Sequence, residues 1–138
     1  IFNTDFNLEY SFLQNWNLKT QIAYSLGKDD QENNLPFISP LRYNAGIEFK
    51  KEKITAGIFA SGNLAQNNFA KVYGQTKTPD YLIFNINAGY SFDCNQNKIK
   101  AQAGIENIFD KYYATFSDWN KIPRMGRNGF INFTYSFH

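Results

Sequence analysis

Apolar and polar residues alternate with a period of two along almost the whole sequence. Near the start, for example, Phe6, Leu8 and Tyr10 are separated by Asn7 and Glu9. Because successive side chains of a β-strand point to opposite faces, the pattern predicts about seven amphipathic strands, each roughly 8 to 12 residues long. A tilted strand needs about 9 to 11 residues to cross a membrane. The predicted strands are residues 4–12, 16–26, 41–50, 54–61, 81–92, 98–106 and 128–137.

The connections between the predicted strands alternate between short and long. The short ones are residues 13–15, 51–53 and 93–97, and the long ones are residues 27–40, 62–80 and 110–125. Barrels of the bacterial outer membrane have short periplasmic turns and long outer loops. With the last strand running inward, all three long connections are expected outside the cell.

Eight aromatic residues on the apolar face fall at strand ends, beside the short turns or the C-terminus. Aromatic side chains with a polar tip favour the level of the lipid headgroups, where barrels carry aromatic girdles. We therefore predict a lipid-facing girdle formed by Tyr10, Phe12, Trp16, Phe49, Tyr90, Phe92, Tyr135 and Phe137.

Composition narrows the class of protein. Apolar residues make up 43% of the 138 residues, yet the mean hydropathy is −0.50. A run of about 18 apolar residues, as a transmembrane helix requires, is absent from the sequence. A barrel remains compatible with low hydropathy, because half of each strand faces a polar lumen. The net charge of +2 comes from scattered bases and acids, which argues against a nucleic-acid binder.

The sequence contains no constellation of residues that indicates an enzyme, a cofactor or a metal site. Its only histidine is His138, so no Ser-His-Asp set can form, and its only cysteine is Cys94. The acidic run of Asp29, Asp30 and Glu32 matches no defined calcium loop and is predicted to be a solvated loop. We expect neither catalytic nor metal-binding residues, and no cofactor.

The C-terminal third carries the most specific motifs. Residues 104–113 read GIENIFDKYY, residues 122–128 read IPRMGRN, and residues 133–137 read FTYSF. Together they resemble the C-terminal end of TonB-dependent outer-membrane receptors, in which an Asn-aliphatic-Phe-Asp-Lys-x-Tyr segment ends the penultimate strand and Pro-x-x-Gly-Arg opens the last one. Residues 35–46 and 78–89 resemble loop-to-strand entries of the same family. The final residue departs from the pattern, since family members usually end on an aromatic residue.

The resemblance implies that the chain is only part of a larger protein. Family members form a barrel of about 22 strands that is plugged by an N-terminal domain. Residues 1–138 are therefore expected to be an all-β antiparallel meander, the C-terminal segment of a large transmembrane β-barrel. The expected partners are outer-membrane lipid, the missing plug and remaining strands, the TonB complex and a small-molecule ligand. The implied location is the outer membrane of a Gram-negative bacterium.

The implied function is TonB-energised uptake of a scarce nutrient, most often a ferric siderophore or similar metal chelate. Two groups of residues are candidates for contacting that ligand. Arginines near the outer strand ends suit anionic ligands, although an ion pair with acidic plug residues in the lumen is the favoured alternative. Aromatic loop residues suit stacking on a ligand, or equally packing of the loops on themselves. The candidates are Arg42, Arg124 and Arg127, and Phe69, Tyr73, Phe116 and Trp119.

Alternation alone leaves a second class of protein open. A self-contained soluble β-sandwich or barrel, binding carbohydrate or lipid, would turn the same apolar face toward a core. That alternative predicts that Phe84, Ile86 and Tyr135 are shielded from solvent by the protein, whereas a membrane barrel places them on the outer face. A small complete outer-membrane barrel is a weaker alternative, because about seven strands departs from the usual even number.

Overall fold

The computed structural model describes residues 1–94 and 97–137, apart from the side chains of Cys94 and Trp119. His138 lies outside the described residues. The described part contains seven strands, which confirms the predicted number and order. They are β1 (Phe2–Phe12), β2 (Trp16–Leu26), β3 (Arg42–Lys51), β4 (Ile54–Asn63), β5 (Tyr81–Cys94), β6 (Asn97–Glu106) and β7 (Asn128–Ser136).

All seven strands belong to one sheet in which each strand pairs with its neighbours in sequence. The order is β1-β2-β3-β4-β5-β6-β7, and every pairing is antiparallel. This arrangement confirms the all-β antiparallel meander. Within the described residues β1 and β7 are the two edges of the sheet, since each has a single hydrogen-bonded neighbour.

Several strands are longer than the alternation predicted. Strand β1 begins at Phe2, which pairs with Leu26, and β4 continues to Asn63, which pairs with both Arg42 and Tyr81. Alternation is weak at these ends, but the ladder of backbone hydrogen bonds continues as long as the neighbouring strand does. Backbone pairing therefore determines where the strands end, and the side-chain pattern underestimates their length.

The register places most of the apolar strand residues on one face of the sheet. Ile58 lies opposite Ile47 on one side and Ile86 on the other, and Ile86 lies opposite Ile105. Directly opposite residues share a face, so these four form an isoleucine row across the middle of the sheet. The other face is polar and includes ion pairs.

Among the residues that the structure describes, no second layer of protein covers the apolar face. Ile86 is 37% exposed and Tyr135 is 56% exposed, while Phe84 is half-buried against the ring of Phe109. A soluble domain needs a second layer to cover such a face. The shielding that the soluble alternative predicts is therefore absent for Ile86 and Tyr135.

The polar face also carries a few apolar side chains. Ile83 is buried there, and the rings of Phe59 and Phe130 lie against glycines of their own or neighbouring strands. A Cβ on Gly46 would come within 2.5 Å of the Phe59 ring, and one on Gly104 within 2.6 Å of the Phe130 ring. These glycines supply the space that the two rings occupy over the backbone of the sheet.

The three long connections lie together at one end of the sheet, because alternate connections of a meander fall at the same end. They are residues 27–41, 64–80 and 107–127, which we call loops 1, 2 and 3. Loop 2 contains a 3-10 turn, Lys71–Tyr73, and loop 3 contains a kinked segment, Trp119–Lys121, in which Asn120 leaves the helical conformation with a φ of 50°. No helix in the described ranges is both long and apolar enough to cross a membrane.

Candidate ligand-binding site

Residues of loops 1, 2 and 3 line a half-open cavity of about 580 Å³ at the long-loop end, which we call the loop cavity. All three loops contribute lining residues, and aromatic, amide and hydroxyl side chains predominate. The aromatic lining residues are Phe37, Phe69, Tyr73 and Phe116, and the charged ones are Asp118 and Lys121.

Loop 2 is held in shape by its own backbone. The amide of Gln66 donates to the carbonyl of Thr78 at 2.9 Å, and the reverse bond is 3.3 Å. Beyond this bridge, Ala70 is buried and its amide donates to the side-chain oxygen of Gln75 at 3.2 Å. Gly74 then ends the 3-10 turn with φ of 74°, a conformation that favours glycine. These bonds place Phe69 and Tyr73 at the loop cavity.

Hydrogen bonds of Asn107 anchor loop 3 at the end of β6. Asn107 is 2% exposed and adopts a positive φ of 50°, which asparagine tolerates better than most residues. Its side-chain nitrogen donates to the carbonyl of Lys111 at 2.8 Å, and its side-chain oxygen accepts from the amide of Lys111 at 2.8 Å. The amide of Asn107 donates to the side-chain oxygen of Asn85 at 2.8 Å. One buried asparagine therefore joins the start of the loop to β5.

A hydrogen bond between Asp110 and Arg127 holds the other end of loop 3 close to its start. The carboxylate of Asp110 accepts a 2.7 Å hydrogen bond from the backbone amide of Arg127, the last residue before β7. The side-chain nitrogen of Asn107 also lies 3.5 Å from the carbonyl of Met125. The two ends of the loop are thus tied to each other, which restricts where its middle residues lie.

An ion pair orders the middle of loop 3. Two nitrogens of the Arg124 guanidinium meet the two carboxylate oxygens of Asp118, at 2.6 and 2.9 Å. The same carboxylate accepts a 2.7 Å bond from the amide of Thr115. The hydrogen bond from Arg124 is the main reason that the pKa of Asp118 lies below its ordinary value. Asp118 is therefore ionised and fully engaged at neutral pH.

Tyr113 anchors this part of loop 3 to the sheet. Its ring packs on Tyr81, with the ring centroids 4.5 Å apart, and its carbonyl accepts from the amide of Arg124 at 2.8 Å. Burial raises the pKa of the Tyr113 hydroxyl above its ordinary value. The aromatic pair fixes loop 3 beside the first residue of β5.

The structure brings together three of the aromatic residues that the sequence singled out. Phe69 and Tyr73 of loop 2 and Phe116 of loop 3 all line the loop cavity. The fourth, Trp119, has a side chain outside the described part of the structure. Sequence reasoning missed Phe37, although an aromatic residue in the long loop 1 was a usable signal.

The three candidate arginines do not share the loop cavity. Arg124 is paired with Asp118, and Arg127 is exposed beside the strand entry. Arg42 lines a separate 400 Å³ recess on the polar face, together with Asp5. Lys121, which the sequence did not single out, is the cation that lines the loop cavity among the described residues.

A family model described as TonB dependent receptor-like, β-barrel matches residues 2–108. This chain belongs to the TonB-dependent receptor β-barrel family. Members of this family lie in the outer membrane of Gram-negative bacteria, so that membrane is its location. Family members are receptors and transporters rather than enzymes.

Solved structures agree with the TonB-dependent receptor fold. Thirty-two solved chains match, and one of them is the copper transporter OprC, with a TM-score of 0.85 and 26% identity. The match covers 96% of this chain and 23% of OprC, so the chain spans about a quarter of that structure. No curated protein sequence matches the chain.

The residues predicted for the aromatic girdle of this TonB-dependent receptor barrel lie in one band at the short-turn end. Neighbouring rings are close, with centroids 5.1 Å apart for Trp16 and Phe49 and 4.7 Å apart for Tyr90 and Phe92. The chain of contacts runs through Tyr10 and Phe12 to Trp16, at 6.2 and 6.3 Å. Tyr135 and Phe137 form a further pair, at 6.2 Å.

No group of three or more His, Cys, Asp or Glu side chains that could hold a metal ion occurs within residues 1–94 and 97–137. In loop 1, the Asp29 carboxylate accepts hydrogen bonds from the amides of Gln31 and Asn33, both at 2.9 Å. Hydrogen bonds from Asn33 are the largest cause of its lowered pKa. Glu32 pairs with Lys28. Two of the three acidic residues of this run, Asp29 and Glu32, therefore have partners within loop 1.

Proposed function

We propose that this chain is the C-terminal part of the barrel wall of an outer-membrane transporter. This transporter takes up a ferric siderophore or similar metal chelate with energy from the TonB complex. Membership of the TonB-dependent receptor family supports transport. The observation that carries the choice of ligand is the loop cavity, which the three long loops build at the end that faces outward in barrels of this membrane.

The lining favours a chelate over a bare metal ion. OprC is a copper transporter, and copper favours soft sulfur and imidazole ligands. The described lining contains no Cys, His or Met side chain, and Met125 of loop 3 lies outside the cavity and is exposed. Phe69, Tyr73 and Phe116 instead offer flat apolar surface, which suits the organic shell of a chelate.

The two sheet edges support a larger barrel around this wall. In lipid, each unpaired backbone group at an edge costs several kcal/mol, so spanning sheets close into barrels. We propose that further strands of the same receptor pair with β1 and β7, and that a plug domain fills the lumen beside the polar face. In this proposal the apolar face and its girdle contact lipid, and the TonB complex acts through the plug.

The test uses the intact receptor in its host. We compare the triple variant Phe69→Ala, Tyr73→Ala and Phe116→Ala with the control Tyr112→Ala, which removes an exposed loop 3 aromatic outside the cavity. Binding and uptake are measured with radiolabelled ferric hydroxamate, catecholate and citrate complexes, and with copper(II) alone.

The triple variant is expected to lose about tenfold or more in affinity for the accepted chelate, because three aromatic contacts are removed. The control should bind and transport like the wild type at equal surface expression. Unchanged binding and uptake of every probe by the triple variant would rule out the proposed role of the loop cavity. If the wild type takes up copper(II) and none of the chelates, the proposed chelate ligand is wrong and the transported ligand is copper.

A further inference from the structure

A second recess lies on the polar face of the sheet, at its long-loop end, and we call it the wall recess. It is half-open, has a volume of about 400 Å³ and is lined by residues of β1 to β5. None of its described lining residues also lines the loop cavity. A volume of this size suits a small molecule. The side chains of the lining that carry charged, amide or aliphatic hydroxyl groups are Asp5, Gln21, Arg42, Asn44 and Ser61.

One acid and one base of the wall recess are held apart by the strand between them. Asp5 lies opposite Ala23, and Ala23 lies opposite Arg42, so all three share the polar face. Because neighbouring strands are 4.7–4.9 Å apart, the Cα atoms of Asp5 and Arg42 are separated by about 10 Å. Neither side chain belongs to an ion pair of the described residues. The recess therefore presents one free charge of each sign.

Uncharged polar side chains fill the next row of the wall recess. Gln21 lies opposite Asn44, and Asn44 lies opposite Ser61. Within the described residues these three side chains make no hydrogen bond. Carboxamides and hydroxyls both donate and accept, and a peptide group offers one donor and one acceptor. The row is therefore suited to binding a peptide group.

The charged residues around the wall recess do not change its balance. The other charged residues of β1 and β2 are Glu9 and Lys19, and Lys19 lies 3.8 Å from Glu9 and 2.8 Å from Glu48. This cluster of one base and two acids begins four residues further along β1 than the acid of the recess. That separation is about 13 Å, which exceeds the screening length of about 8 Å at physiological salt. On the loop 3 side, Arg124 is neutralised by Asp118.

We propose that the wall recess binds a small zwitterion of the class of free dipeptides. The Asp5 carboxylate accepts hydrogen bonds from the ammonium of the ligand, and the Arg42 guanidinium donates two parallel hydrogen bonds to its carboxylate. Gln21 and Asn44 bind the peptide group. The two charges of a dipeptide are separated by this group, as the two charges of the recess are separated by Ala23. The inference goes beyond the proposed function, because the recess lies apart from the loop cavity.

The experiment measures binding to the purified intact receptor in detergent by equilibrium dialysis. The probes are radiolabelled alanyl-alanine, N-acetyl-alanyl-alanine, which lacks the ammonium, and alanyl-alanine amide, which lacks the carboxylate. The test variants are Asp5→Asn and Arg42→Gln. The matched controls are Glu106→Gln and Lys50→Gln, which remove an exposed acid and an exposed base of the same face outside the lining.

The wild type is expected to bind alanyl-alanine, and blocking either end should weaken binding about tenfold or more, because a charged group of the recess loses its partner. Asp5→Asn should weaken binding of alanyl-alanine about tenfold and leave that of the N-acetyl probe nearly unchanged. Arg42→Gln should do the same with the amide probe. Both controls should stay within about twofold of the wild type. A purely structural role of either residue would instead weaken all three probes alike.

Two results would overturn the inference. One is the absence of saturable alanyl-alanine binding by the wild type. If Asp5→Asn or Arg42→Gln then also lowers the free energy of unfolding of the receptor, these charges pair with another part of the receptor, such as the plug. The other is an affinity for alanyl-alanine that Asp5→Asn and Arg42→Gln leave unchanged.

The aromatic triple variant keeps this inference separate from the proposed function. It should bind alanyl-alanine as the wild type does, whatever its effect on chelates. Loss of dipeptide binding in that variant alone would assign the dipeptide to the loop cavity and overturn the inference. Failure of chelate uptake, in contrast, would leave the dipeptide result standing.

Discussion

The ring of Phe59 lies against Gly57, so closely that a Cβ on this glycine would come within 2.6 Å of the ring. Gly46 on the neighbouring strand lies opposite Phe59 and leaves the same kind of space. A large apolar ring on a polar face is stable here because two glycines let it cover the backbone of two strands. The arrangement ties β3 to β4 through a side chain as well as through the ladder.

We predict that Gly57→Ala destabilises the intact receptor by about 1–3 kcal/mol, because the added methyl group overpacks the site. Combining it with Phe59→Leu should recover part of the loss, since the smaller side chain vacates the space. The free energy of unfolding of the purified receptor in detergent measures both effects. In the control Gly129→Ala the nearest atom is 3.7 Å from the new Cβ, so the change should stay within about 0.5 kcal/mol.

A second prediction concerns Asn107, whose side chain fastens loop 3. Asn107→Ala leaves the amide and carbonyl of Lys111 without their side-chain partner and places alanine at a positive φ. We expect a cost of about 2–4 kcal/mol in the free energy of ordering loop 3. Trypsin should therefore cleave the intact receptor in this loop, after Lys121 or Arg124, at least tenfold faster (an order-of-magnitude expectation from that cost).

The control for this variant is Asn128→Ala, which removes a 3.2 Å bond to the carbonyl of Gly126 near the end of the same loop. This bond is exposed, so the control should change the cleavage rate about twofold at most. Equal rates for the two variants would show that Asn107 does not fasten the loop.

The strands and the positions of the loops follow from the sequence because they depend on local alternation. A period of two assigns each side chain to a face, and the register then matches apolar face to apolar face, as for Ile58 and Ile86. The short and long connections likewise reveal which loops gather at one end. Such properties need no knowledge of which side chains meet.

The contacts inside the loops do not follow from the sequence, because they form between residues whose meeting depends on how each loop closes. Arg124 looked available for an anionic ligand, yet Asp118 six residues earlier engages it. Lys121 gave no signal in the sequence, and the hydrogen bond from its ammonium to the carbonyl of Lys77 in loop 2 spans 44 residues. Alternation also says nothing about the glycines that let Phe59 lie on the polar face.

A third prediction follows from the ion pair in loop 3. The lowered pKa of Asp118 means that the pair stabilises the folded loop above the ordinary carboxyl pKa. This stabilisation is lost as the pH falls through the lowered value. Arg124→Gln should raise the pKa of Asp118 toward the ordinary range, because its main hydrogen bond is removed.

Cleavage of loop 3 by pepsin, followed between about pH 2 and pH 5, tests this prediction. The variant should lose protection at a higher pH than the wild type, since its carboxyl protonates earlier. Arg127→Gln is the control, because only its backbone amide is bonded to Asp110 and the substitution retains that amide. Identical pH profiles for wild type and Arg124→Gln would contradict the assigned role of the pair.

The last prediction separates the two faces of the sheet at neighbouring positions of β5. Ile86 lies in the isoleucine row, between Ile58 and Ile105, and Asn87 lies on the polar face between Gly57 and Gly104. If the apolar face contacts lipid, Ile86→Lys places a charge near the middle of the bilayer and should cost about 2–4 kcal/mol. Asn87→Lys places the same charge in the lumen and should cost far less.

Both variants are made in the intact receptor, and the readouts are the amount of folded receptor in the outer membrane and its free energy of unfolding in lipid vesicles. The lysine at position 86 should lower both, while the lysine at position 87 should leave assembly near the wild-type level. Because the two side chains are adjacent in sequence, strand propensity and distance from the loops are nearly matched. A larger loss of folded receptor and of unfolding free energy for Asn87→Lys would mean that the polar face contacts lipid. That result would contradict the proposed barrel wall.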